Sequence, residues 1–160
     1  MIIYFIVAAL LIAIDQITKW LTVANIPLYS QGPVIINKVL SLTYHQNTGA
    51  SWSMLEDNPI LLIIMTVAIL IGATVYIVKA KPQSKLFRWS ASLIYAGALS
   101  NLADRIFRGF VVDMIKTDFM DFPIFNVADC CVVTGTALLC LYILMMPDSK
   151  DKKNIKKANH

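Results

Sequence analysis

The sequence predicts an all-α polytopic membrane protein: four transmembrane helices, with a small β-structured segment between spans one and two. Three observations carry this. Of 160 residues, 58% are hydrophobic and only 15% charged, with a mean hydropathy of +0.66, where a soluble domain carries about 25% charged residues. Four stretches approach the roughly 20 apolar residues that a helix needs to cross a bilayer core. Nine of the 14 Lys and Arg residues lie in the short 79–88 segment (Lys79, Lys81, Lys85, Arg88) or in the tail after residue 147. Basic clusters of this kind flank spans on the cytoplasmic side.

The first span runs from about Ile2 to Val23. Its opening, MIIYFIVAALLIAI, lacks the basic n-region and cleavage site of a removable leader, so it reads as a retained helix. The second span covers about 60–78, with Asn58 as a cap and Pro59 at the first helical position. The third covers about 86–103 and the fourth about 127–146, stopped by Pro147. Residues 1–147 then form one membrane-embedded domain and 148–160 a basic cytoplasmic tail. With the basic clusters inside, both termini are cytoplasmic, and the loops 24–57 and 104–126 face outward. Those loops carry Glu56, Asp57, Asp104, Asp113, Asp118 and Asp121. In the first, VII-NK-VLSLTYH reads as two strands about an Asn-Lys turn. Leu40, Leu42 and Tyr44 alternate there with Ser41, Thr43 and His45, which predicts a sheet with one apolar face at the membrane surface.

Composition also excludes. The net charge of +4 sits in topology clusters that can touch anionic lipid heads, without the motifs of a nucleic-acid binder. Cys130, Cys131 and Cys140, an odd number in an apolar segment, read as small buried residues and not as a disulfide framework. Two histidines make no zinc site. No internal repeat points to an inverted-repeat transporter.

The polar groups within or beside the spans are the candidates for chemistry, since each costs about 2.5 kcal/mol or more there. Asp15 and Lys19, four apart, make either a structural ion pair or support for a nearby site. In GALSNLADR, Asn101 and Arg105 share a helix face, while Asp104 reads equally as a solvated helix end. In FNVAD, Asn126 can cap the fourth helix and Asp129 complement its positive end. That account leaves Asp113, in GFVVDMIK, unexplained. The predicted topology gathers Asn101, Arg105, Asp113, Asn126 and Asp129 at one side of the membrane. Two carboxylates brought together share one proton and can activate a water, as in aspartic proteases. Asp129, at a helix N-terminus, is then the more easily ionised member. Serine chemistry on Ser51, Ser53, Ser92 or Ser100 would need a base, and Lys19 and His45 are poorly placed for that role. A small transporter or proton-relay subunit is the alternative from another class, and a scaffold whose polar groups only cap helices is a further one.

The blocks DQITK (15–19), QNTGASW (46–52), GALSNLADR (97–105), VVDMI (111–115) and FPIFNVAD (122–129) resemble, in order and over nearly the whole chain, those of bacterial lipoprotein signal peptidase (signal peptidase II). The resemblance implies an intramembrane aspartic endopeptidase of the bacterial cytoplasmic (inner) membrane, working without metal or other cofactor. Its implied partners are membrane lipids and diacylglyceryl-modified prolipoprotein substrates, cut just before the lipidated cysteine near the extracytoplasmic face. Residue by residue it places the catalytic pair on Asp113 and Asp129 and site-lining roles on Asn47, Gly97, Asn101, Arg105 and Asn126. Asp15 and Lys19 fall in the first-span motif as possible structural support. Asp104 becomes structural, and the alternating 34–46 stretch corresponds to an extracytoplasmic β-cradle. Three positions depart from the family pattern: Gln46 replaces a common arginine, Ser100 a glycine, and Cys130 a serine.

Overall fold

The computed structural model describes residues 2–49 and 58–146. Ser51, Ser53, Glu56, Asp57, Pro147 and the basic tail lie outside the described residues. Four helices and three strands follow in the order α1 (Ile2–Asn25), β1 (Gln31–Ile36), β2 (Leu40–Asn47), α2 (Pro59–Ala80), α3 (Lys85–Phe107), β3 (Val111–Thr117) and α4 (Val127–Leu144). Each helix falls on a predicted apolar stretch, with ends shifted by up to four residues. Three of them, α1, α2 and α4, are long and apolar enough to cross a membrane. The 23-residue α3 is less apolar, because Ser90, Ser92, Ser100, Asn101 and Asp104 dilute it and Lys85 and Arg88 sit in its first turn.

The helices turn their large apolar side chains outward. Only Leu62 and Leu70 are buried along α2, and Ile14, Ile17 and Trp20 stand exposed on α1. What α1 buries is polar: Asp15, Lys19 and Thr22. Such an inside-out pattern needs a hydrocarbon surround to be stable. The interface of α3 with α4 is tight because it lacks side chains where the helices meet. A Cβ on Gly97 would strike the Ala128 carbonyl and lie 2.7 Å from Val132, and one on Gly135 would lie 2.9 Å from the Ser90 carbonyl.

The hairpin forms as read, with Lys38 in the left-handed region (φ 60°) at its turn. The strand order is β1-β2-β3, antiparallel throughout. The third strand corrects the reading of 104–126 as loop: α3 runs on to Phe107, and Val111–Thr117 pairs with β2. Between the pairs Leu42–Ile115 and His45–Asp113 the β2 strand holds one extra residue, a bulge that re-aims its end. Below it, Ile26, Tyr44, Val112 and Met114 form the sheet's core.

Three smaller expectations change as well. Asn58 makes no side-chain cap on α2, although Pro59 does open it. Of the cysteines only Cys131 is buried; Cys130 and Cys140 are exposed, and all three are free thiols, because their helix presents those faces outward. Ser41 and Thr43, not Leu40 and Leu42, are the more buried members of β2. Their hydroxyls donate to Asp118 and to the Ser30 carbonyl, each at 2.9 Å, while Leu40 and Leu42 line an apolar recess of about 530 Å³ against α1.

Candidate active site

The end of α3, the start of α4, the β3 strand and the polar face of α1 converge at one end of the bundle. Asn126 is the hinge of the arrangement. It caps α4 with both halves of a capping box: its Oδ1 accepts from the Asp129 N–H at 2.9 Å, and its own N–H donates to Asp129 Oδ2 at 3.0 Å. The cap predicted from FNVAD is therefore real. The same side chain also donates from Nδ2 to Asp113 Oδ1 at 2.6 Å, so one buried asparagine touches both acids. Capping and chemistry are not rival accounts of these residues.

Four donors meet the four carboxylate oxygens. Asp129 Oδ1 accepts from Asn101 Nδ2 at 2.8 Å, and Asp113 Oδ2 accepts from Asn47 Nδ2 at 2.8 Å. The bulge in β2 is what brings Asn47 beside Asp113. Asn47 is held in turn by the Gly49 N–H on its Oδ1 at 2.9 Å. Asp113 is 2% exposed, and burial, followed by the charge of Asp129, pushes its carboxyl up to about 7. The Asn47 and Asn126 donors and the Lys19 charge hold it down against that rise. Arg105 Nη2 donates to the Gly49 carbonyl at 2.9 Å, and its buried Nε has no partner among the described residues.

A family model described as signal peptidase (SPase) II matches residues 7–145. The chain belongs to the signal peptidase II family. It is 40% identical over 160 residues to the lipoprotein signal peptidase of Enterococcus faecalis, covering 100% of this chain and 98% of that one. With the lipoprotein signal peptidase of Anoxybacillus flavithermus it shares 42% identity over 141 residues, 87% of this chain and 83% of that one. A solved bacterial membrane enzyme superimposes with a TM-score of 0.83 at 33% identity, covering 94% of this chain and 90% of that one. Membership in a peptidase family makes the chain a hydrolase and sets the transporter and scaffold readings aside.

Beneath the acids lies a part of the site that the sequence reading under-connected. Asp15 and Lys19 do pair at 2.8 Å, and the pair is not closed on itself. Lys19 Nζ also reaches Asp104 Oδ2 and Asn101 Oδ1, each at 2.8 Å. Asp15 Oδ1 accepts the Ala128 N–H of α4 at 2.7 Å, and its Oδ2 accepts from Ser100 Oγ at 2.7 Å. In a low-dielectric interior, charges that look self-sufficient on one helix recruit every polar group in reach. Asp104, 1% exposed, also holds Arg108 at 3.3 Å, which fits a structural acid and not a solvated helix end. Ser100, at the family's glycine position, is buried on Asp15 and so has no nucleophile's geometry; Ser92 donates to the Tyr4 carbonyl at 2.7 Å. Gln16 went unnoticed, although an amide inside an apolar run needs partners. Its Nε2 donates to Ser100 Oγ at 3.0 Å and to Asp104 Oδ1 at 3.2 Å. Gly97 contributes close packing under Ala128.

Proposed function

We propose that this protein is an intramembrane aspartic endopeptidase that removes signal peptides from diacylglyceryl-modified prolipoproteins, cutting just before the lipidated cysteine. The observation that carries the reading is Asn126 bridging Asp113 and Asp129 in a chain of the signal peptidase II family. In the mechanism, Asp113 holds the proton that the pair shares and Asp129 is ionised, helped by the positive end of α4. Asp129 takes a proton from a water whose oxygen adds to the scissile carbonyl carbon. Asp113 gives its proton to the carbonyl oxygen. Collapse of the tetrahedral adduct breaks the C–N bond as the amine receives the proton from Asp129, and the proton released from the adduct's hydroxyl returns to Asp113. Asn47, Asn101 and Asn126 orient the acids, and Arg105 offers N–H donors to the substrate backbone.

Location completes the reading. All four helices span the cytoplasmic membrane, α3 included, with Lys79, Lys81, Lys85 and Arg88 on the cytoplasmic side. Residues 1–147 make the single peptidase domain and 148–160 a cytoplasmic tail, with both termini inside. The sheet is then an extracytoplasmic cradle beside the acids. The exposed Val34, Ile35 and Ile36 of its edge strand suit contact with membrane lipids. Substrate acyl chains stay in lipid while the scissile bond reaches the interface.

The test is to incubate the purified full chain in detergent with one diacylglyceryl-modified prolipoprotein and with the same precursor left unlipidated. Mass spectrometry of the products should find a new N-terminus at the lipidated cysteine and an intact unlipidated precursor. Equal cleavage of both, or cleavage elsewhere, would remove lipid recognition from the proposal.

A further inference from the structure

Lys19 is fully enclosed, at 0% exposure, and its three contacts are unequal in what they accomplish. Two of them balance charge: Asp15 Oδ2 and Asp104 Oδ2, each at 2.8 Å. With Arg108 on Asp104, two cations face two carboxylates, so the cluster is neutral without any further partner. The third contact goes to an uncharged amide, Asn101 Oδ1, at 2.8 Å. An ammonium only donates, so the atom facing it must be the carbonyl oxygen, and the Asn101 NH2 must point the other way. That NH2 lies 2.8 Å from Asp129 Oδ1. Asn126 Nδ2, at 3.3 Å from Asn101 Oδ1, supports the same orientation. Turning the amide over would set NH2 against the ammonium and a carbonyl against a carboxylate, two unfavourable contacts in a buried place.

Resting on the reading of Asp113 and Asp129 as the catalytic pair, we propose that Lys19 is a positioning residue for the cleavage reaction. Through Asn101 it fixes the amide that holds Asp129. A contact of this kind acts on the rate, because a reacting group displaced by about 1 Å loses on the order of 100-fold.

The experiment measures kcat, KM and the thermal midpoint of the full chain in detergent on a diacylglyceryl-modified prolipoprotein. Lys19→Met combined with Asp104→Asn removes one cation and one carboxylate together, so the cluster stays balanced. The expected result is a folded protein with KM within about twofold and kcat lowered about 100-fold. Asn101→Leu should lose a similar factor, and adding it to the pair should cost no more, since Lys19→Met and Asn101→Leu act through one contact. Losses that multiply, or a kcat that falls only with the folded fraction, would overturn the proposal. Asp104→Asn alone covers the case in which the pair does not fold. It leaves Lys19 on Asn101, so its midpoint should drop while kcat stays within about threefold; a loss as large as that of Asn101→Leu would overturn the proposal. Asp113→Asn and Asp129→Asn in the same assay separate the two levels. Activity retained there overturns the catalytic pair itself, whereas their inactivity leaves the Lys19 result to bear on Lys19 alone.

Discussion

Asp113 is a carboxylic acid in a place that disfavours its charge, and this has two consequences at the scale of one residue. The folded protein keeps its proton up to about pH 7, while an unfolded chain releases it near pH 4. Folding therefore binds a proton between those values, and the contribution of this group to stability falls as pH rises from about 4 to about 7. Asp113→Asn does not titrate, so its thermal midpoint should gain on that of the wild type between pH 5 and pH 8. A difference that stays constant across that range would contradict the assignment. The second consequence is kinetic. If Asp113 donates a proton during cleavage, kcat should decline as pH rises through about 7; the limb belongs to the coupled pair and not to one acid. A kcat–pH profile that is flat from pH 6 to 9 would count against Asp113 as donor.

At the scale of elements, α3 and α4 are joined where glycine removes the side chain, and this separates two otherwise similar substitutions. Gly97→Ala puts a methyl group into the Ala128 carbonyl, whereas nothing lies within 4 Å of the position a Cβ would take at Gly72. The first should destabilise by about 1–3 kcal/mol. The second should be neutral or stabilise by up to about 1 kcal/mol through helix propensity. Chemical unfolding of both variants in detergent checks the sign of each. Elements also differ in how legible they were. The hairpin was readable because β2 alternates and Asn37-Lys38 supplies a turn. The β3 strand was not, because Val111, Val112, Asp113 and Met114 are all buried, and a strand covered on both faces has no alternation to read. Asn47 was reachable only through the motif resemblance, since the bulge that places it beside Asp113 leaves no mark in local composition.

For the whole molecule, the apolar runs predicted all four helices, and the topology built on them predicted which polar groups gather at one end. Pairwise contact was beyond that reading. The spacing of Asp15 and Lys19 suggested a closed pair, while the folded chain spreads them over Ser100, Asn101, Asp104 and Ala128. The orientation proposed from the basic clusters has a direct test. Alkaline phosphatase joined after residue 121 should be active outside the cytoplasm, and joined after residue 82 should be inactive; the reverse pattern would invert the topology. Whether Asp113 and Asp129 together perform the cleavage is decided by single-turnover cleavage of a diacylglyceryl-modified prolipoprotein by Asp113→Asn and by Asp129→Asn. Each folded variant should lose about a thousandfold or more in rate. A folded variant of either acid that cleaves at the wild-type rate would contradict that joint role.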